Sequence, residues 1–82
     1  MPRYSEEKIK QAFADGLNIP TDKVHDGMTY DDTPEWDSIG HMAMIAALEQ
    51  RFEIFIDTDD VVDISSFAKA KEILAKYGVE VS

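Results

Sequence analysis

Apolar residues recur at helical spacing in two long stretches of this chain and thin out between them. Ile9, Ala12, Phe13, Gly16 and Leu17 fall at i, i+3, i+4, i+7 and i+8, which is one helical face. This predicts a first helix running to about Leu17. Ser5 can cap it, Glu6 and Glu7 suit the positive end of its dipole, and Asn18 and Pro20 end it. Residues 18–36 are rich in Asp, Thr, Pro and Gly and read as one long connection. Val24, Met28, Tyr30 and Trp36 interrupt it, and they are expected to pin it over the helices.

A second helix is predicted from Ser38 to Phe52. The segment Ile54-Phe55-Ile56 has a periodicity that permits a strand, but no second strand is evident to pair with it, so an extended link is expected. Asp57 or Thr58 then caps a short helix from Asp59 to about Val62. Ser65 or Ser66 caps a last helix that buries Phe67, Ala70, Leu74 and Tyr77, with Ile73 on its flank and Gly78 as its stop. The expected fold class is all-α: a small four-helix bundle of three main helices and one short one, with a long first loop.

The second helix carries two apolar stripes. At about 100° per residue, His41, Ile45, Leu48 and Phe52 share one stripe with Met44 at its edge, and this is the expected core face. Ile39, Met42 and Ala46 share another, beside Ser38 and Glu49, where an ordinary surface helix would be polar. Either the helix is central and covered on both sides, or the second stripe is a docking surface for partners. Docking is favoured because the stripe begins at a serine.

That serine, Ser38, follows Asp37 at the point where the loop ends and the helix begins. Serine at a helix start is most often an N-cap. Here Asp37 can cap equally well, which would make Ser38 the first helical residue and leave its hydroxyl free. A phosphodiester on that oxygen would face unpaired backbone N–H groups and the positive helix end. The setting suggests a serine that carries something, not one that performs chemistry.

Composition narrows the class. With 82 residues, one domain over residues 1–82 is expected, with a thin core. There is no cysteine, so disulfide frameworks and thiolate metal sites are excluded. Polar residues follow Met1-Pro2-Arg3, so no signal peptide is expected, and no apolar run approaches membrane-spanning length. A cytoplasmic protein without membrane insertion is the expectation. The net charge of −9 repels nucleic acid phosphate and attracts basic protein surfaces, although acidity also serves solubility alone.

The run Asp37-Ser38-Ile39, the apolar helix ending Ala47-Leu48-Glu49-Gln50-Arg51-Phe52, then Ile56 and Ser65-Ser66-Phe67, together resemble the acyl carrier protein family. Trp36-Asp37-Ser38-Ile39-Gly40-His41-Met42 looks like discrete carriers of specialised pathways more than the housekeeping fatty-acid carrier. The resemblance implies that Ser38 receives 4′-phosphopantetheine from coenzyme A through a magnesium-dependent phosphopantetheinyl transferase. The arm would hold an acyl or aminoacyl group as a thioester. Further partners implied are a loading ligase and downstream biosynthetic enzymes, with the carrier itself a monomer and not an enzyme. By the same resemblance Asp37 matches the acidic residue before the attachment serine. Ile39, Met42, Ala46 and Glu49 match docking positions, and Ile45, Leu48, Ile56, Val61 and Ile64 match positions around the acyl pocket.

The chain departs from the family's fatty-acid carriers at Gly40, Ala43, Gln50 and Arg51, where acidic residues are usual. Docking is therefore expected to depend more on apolar contact than on charge, with a dedicated partner set such as a polyketide, nonribosomal-peptide-like or surface-polysaccharide pathway. Three rival readings stand beside this one: an aminoacyl or peptidyl carrier, an unmodified helical interaction module and a serine hydrolase. The last is weakest. Ser38 and His41 are expected to point to different sides, with no third orienting group and no oxyanion hole, so no catalytic residue is assigned. His41 is expected to be a satisfied, partly buried core histidine and His25 a solvated one. Asp57-Thr58-Asp59-Asp60 lacks the glycine and closing glutamate of a calcium loop, so it reads as capping and surface charge with no metal. Trp36 is expected to anchor the loop.

Overall fold

The computed structural model describes residues 3–4 and 6–81, with side chains over residues 6–79. In chain order it contains β1 (Arg3–Tyr4), α1 (Glu6–Leu17), a 3₁₀ turn (Thr21–Lys23), α2 (Ser38–Phe52), α3 (Thr58–Asp63), α4 (Phe67–Lys76) and β2 (Glu80–Val81). The fold is the expected all-α bundle. One addition is a two-residue parallel pairing of β1 with β2, Arg3 opposite Glu80 and Tyr4 opposite Val81, which brings the two ends of the described chain together. The sequence signals no strand there, because two-residue segments carry no alternation to read. Residues 54–56 form no strand, as expected. The Ser5 cap falls outside the described residues.

α1 buries Ile9, Ala12, Phe13, Ala14 and Leu17: four of the five anticipated residues, with Gly16 half-buried, plus Ala14. It crosses α2 at a point where only glycine fits: a Cβ on Gly16 would lie 2.3 Å from the Met44 Cα and 2.7 Å from its backbone nitrogen. This close crossing explains one correction. Met44, placed at the edge of the core stripe from periodicity, is fully buried because α1 covers it. Arg51 points the same way, its guanidinium 2.9 Å from Asp15 of α1.

Phe13 joins three layers. Its ring meets Trp36 of the loop edge-on with centroids 5.3 Å apart, and Phe67 of α4 edge-on at 5.1 Å. Edge-to-face pairs of this kind add about 0.5–1.5 kcal/mol beyond their burial. Val24, Met28 and Trp36 are buried and pin the loop as expected; Tyr30 is 37% exposed but meets Trp36 and His41 of α2 edge-on, centroids 6.0 and 6.2 Å apart. A short backbone bridge between Thr29 and Ser66 also holds the loop. Tyr30 N–H donates to the Ser65 carbonyl at 2.9 Å and Phe67 N–H to the Met28 carbonyl at 3.0 Å.

The last turns of the chain are capped as the sequence suggests. Ser66 accepts from the Lys69 N–H at 3.0 Å, and α4 closes at Gly78 with φ +87°. α3 starts one residue earlier than expected, at Thr58, with Asp57 as its N-cap residue but without a side-chain cap bond. Val79, past the last helix, is also buried.

Candidate functional site

The start of α2 is built by Asp37. Its Oδ1 accepts from the Gly40 N–H at 2.7 Å, and its carbonyl accepts from the His41 N–H at 2.7 Å. With Asp37 as the cap, Ser38 is the first helical residue, exposed, and its hydroxyl has no hydrogen-bond partner among the described residues. Gly40 fits because the loop passes close by: a Cβ there would lie 2.6 Å from the Glu35 carbonyl oxygen. The departure from an acidic residue at this position thus has a steric cause in this chain.

Beside Ser38 lies a cleft of about 430 Å³. Tyr30 and Asp31 of the loop form one side, and Ser38, His41 and Met42 of α2 another. Val61 and Val62 of α3, with Ile64 and Ser65 after it, complete the lining. His41 organises this region. Its Nδ1 accepts from the Trp36 indole N–H at 2.9 Å, and its Nε2 lies 2.7 Å from the Val61 carbonyl oxygen. An indole N–H only donates and a carbonyl only accepts, so His41 is neutral with its proton on Nε2. The imidazole and the indole lie edge to edge and nearly coplanar across their hydrogen bond, centroids 6.1 Å apart and planes 16° apart.

These bonds bear on the relation of Ser38 to His41. Both residues line the same cleft, with no hydrogen bond between them. What removes His41 as a base for the serine is that both ring nitrogens are already engaged. His41 is otherwise the satisfied, half-buried residue expected, and Trp36, 1% exposed, is the expected loop anchor.

α3, only six residues long, is held from both sides. His41 holds the Val61 carbonyl from α2. From α4, Lys76 Nζ reaches Asp60 Oδ1 at 2.8 Å, while the Tyr77 hydroxyl donates to Asp60 Oδ2 and accepts from the Asp57 N–H at 3.0 Å. Hydrogen bonds from Lys76 and then Tyr77 hold the Asp60 carboxyl below the ordinary aspartate range. Asp60 in turn raises Lys76 and Tyr77 above theirs. Asp60 was expected to be surface charge; it is buried, with Lys76 at the end of α4 and Tyr77 just after it as partners, 16 and 17 residues away in sequence. Among the described residues no group of three or more His, Asp or Glu side chains is placed to hold a metal.

The second stripe of α2 is open. Ile39 is 83% exposed, Met42 59%, and Ala46 is also exposed, which removes the alternative of a helix covered on both sides. Two residues missed in the sequence extend this surface: Val62 of α3, 75% exposed, and Phe55 of the link, 89% exposed. Phe55 sits in an apolar triplet that carries no sign of which member faces outward. Glu49 is half-buried, one carboxylate oxygen accepting from the Ile56 N–H at 3.0 Å, so it fixes the link after α2 as well as flanking the stripe. Of the five residues matched to an acyl pocket, Val61 and Ile64 line the cleft, whereas Ile45, Leu48 and Ile56 are buried in the core.

A phosphopantetheine group fits the residues present. The Ser38 oxygen is accessible and uncommitted, the first N–H groups of a 15-residue helix face it, and an open cleft adjoins it. No helix among the described residues is long and apolar enough to cross a membrane.

Comparison with known proteins agrees with this geometry. Residues 7–74 match the family model described as "Phosphopantetheine attachment site". The chain is also 28% identical over 75 residues to the acyl carrier proteins of two strains, Tuc7 and APS, of Buchnera aphidicola subsp. Acyrthosiphon pisum, covering 92% of this chain and 94% of each relative. The chain belongs to the phosphopantetheine attachment family, as a carrier that holds acyl groups on a phosphopantetheine arm.

Proposed function

We propose that Ser38 is the residue that bears the arm, and that this chain is a non-catalytic, monomeric carrier domain presenting acyl or aminoacyl intermediates to cytoplasmic biosynthetic enzymes. The observation that carries the reading is the division of labour at the start of α2: Asp37 caps the helix and the Ser38 hydroxyl is left free. The other serines among the described residues offer less. Ser66 is committed as a cap to the Lys69 N–H. Ser65 lies on the far side of the cleft, after α3.

When bound, the arm supplies a terminal thiol that holds cargo as a thioester. This chain's residues position it. The N–H groups of Ser38 and Ile39 and the positive end of the α2 dipole stabilise negative charge on the serine oxygen. Asp37, its carboxylate engaged by Gly40, keeps the first turn in place. Ile39, Met42 and Ala46 offer apolar contact to a phosphopantetheinyl transferase, a loading ligase and downstream enzymes, with Glu49 beside them.

Peptide mapping of protein treated with a phosphopantetheinyl transferase, coenzyme A and magnesium tests the assignment. Phosphopantetheine is expected on the peptide containing Ser38 alone. Modification mapped to Ser5, Ser65, Ser66 or Ser82 would refute it.

A further inference from the structure

The inner wall of the cleft beside Ser38 is a histidine. The His41 ring lines the cleft, and its edge abuts the buried Trp36 indole, the two rings nearly coplanar. It is fixed there by the Trp36 N–H on one nitrogen and the Val61 carbonyl on the other, so loop, α2 and α3 meet at one side chain. Directly beyond it on the same helical face, at i+4 and i+7, come Ile45 and Leu48, both buried and neither part of the cleft. The remaining lining is mixed: Met42, Val61, Val62 and Ile64 are apolar, while Asp31 and Ser65 offer hydrogen-bonding groups.

We propose that His41 is the specificity-determining stop of this cleft, restricting sequestered cargo to short acyl groups, including those with polar substituents, and keeping longer alkyl chains out of the core at Ile45 and Leu48. An alkyl tail entering further would have to displace the imidazole. That would strip the Trp36 N–H and the Val61 carbonyl of their shared partner in a part-buried setting, a cost that short cargo does not incur. The proposal rests on the reading that Ser38 bears the arm.

The test loads Ser38 with acetyl-, butanoyl- and octanoyl-phosphopantetheine, by enzymatic transfer from the matching acyl-coenzyme A. Methyl resonances of Ile, Leu and Val are then followed by NMR, and melting temperature is recorded. In the wild type, Val61, Val62 and Ile64 should respond to all three cargoes, Ile45 and Leu48 to none, and the melting temperature should not depend on chain length. In His41→Ala, octanoyl should shift Ile45 and Leu48, and the melting temperature should climb with chain length as buried cargo stabilises the fold. Octanoyl shifts at Ile45 and Leu48 in the wild type would overturn the proposal, and this series suffices if the variant does not fold. A folded His41→Ala that still excludes octanoyl from the core would overturn it equally. Failure of any cargo to attach to Ser38 is seen directly by mass and removes the carrier site and this inference together.

Discussion

The Trp36 indole N–H donates to His41 Nδ1 at 2.9 Å, and this bond joins the end of the long loop to the second turn of α2, next to Ser38. It sets the rings of a loop residue and a helix residue five positions apart edge to edge and nearly coplanar, and it sets the tautomer through which His41 holds α3.

Trp36→Phe tests that bond. The variant loses the indole donor and leaves Nδ1 in a half-buried setting. Stability should fall by about 1–3 kcal/mol, the cost of stranding a buried acceptor. In a domain this size each 1 kcal/mol lowers the melting temperature by roughly 4–8 °C. Thermal unfolding by circular dichroism reads this, and an unchanged midpoint would show that the bond carries no stability.

The crossing of α1 over α2 depends on Gly16. A methyl group there would lie 2.3 Å from a backbone atom, Met44 Cα, so no rotamer change relieves the clash. Gly16→Ala should destabilise by about 2–3 kcal/mol, toward the upper end of overpacking effects, despite alanine's better helix propensity. Urea unfolding checks it; a stabilised variant would mean that the helices are not in contact at this point.

Much of this fold is readable in the sequence, and the misses share a cause. Periodicity locates α1 and α2 because each buries one regular stripe. Periodicity says nothing of what covers a residue from another element, so Met44 looks marginal until Gly16 brings α1 onto it. Asp60 looks like surface charge because Lys76 and Tyr77 are remote in sequence. The free serine at Ser38 is legible because its competitor for the cap, Asp37, is its immediate neighbour. The cleft is not legible, since its walls come from the loop, α2 and α3, and its inner wall depends on bonds from His41 to Trp36 and Val61.

The bonds around Asp60 give stability a defined pH dependence. Asp60 titrates lower in the folded chain than its ordinary 3.8, so its contribution is present above that value and lost as pH falls through the folded value. Lys76 and Tyr77 titrate higher than their ordinary 10.5 and 10.0, so their contributions are present below those values and lost as pH rises through the folded ones. Tyr77→Phe removes one of the two bonds to the carboxylate. The variant should be less stable than the wild type at neutral pH, and the gap should narrow below the ordinary aspartate value as Asp60 protonates in both. Urea titrations at neutral and acidic pH measure the gap; a constant difference would mean that the hydroxyl does not act through the Asp60 charge.

The exposed stripe of α2 separates docking from folding. Ile39→Ser and Met42→Ser should change stability by no more than about 0.5 kcal/mol, as surface substitutions do. If these side chains anchor the transferase, each should lower kcat/KM for arm transfer about tenfold or more, the scale of an interface hot spot. Stopped-time mass spectrometry of arm transfer measures this. Unchanged rates would place the docking surface elsewhere, with Phe55 and Val62 the next residues to substitute.

The claim that the rest depends on is that Ser38 bears the arm. Intact mass after incubation with phosphopantetheinyl transferase, coenzyme A and magnesium tests it most directly, run on the wild type and on Ser38→Ala with circular dichroism to confirm that both are folded. The account predicts a gain of one phosphopantetheine in the wild type and none in the variant. An equal gain in a folded Ser38→Ala, or no gain in the wild type with any transferase that modifies other carriers of the family, would contradict it.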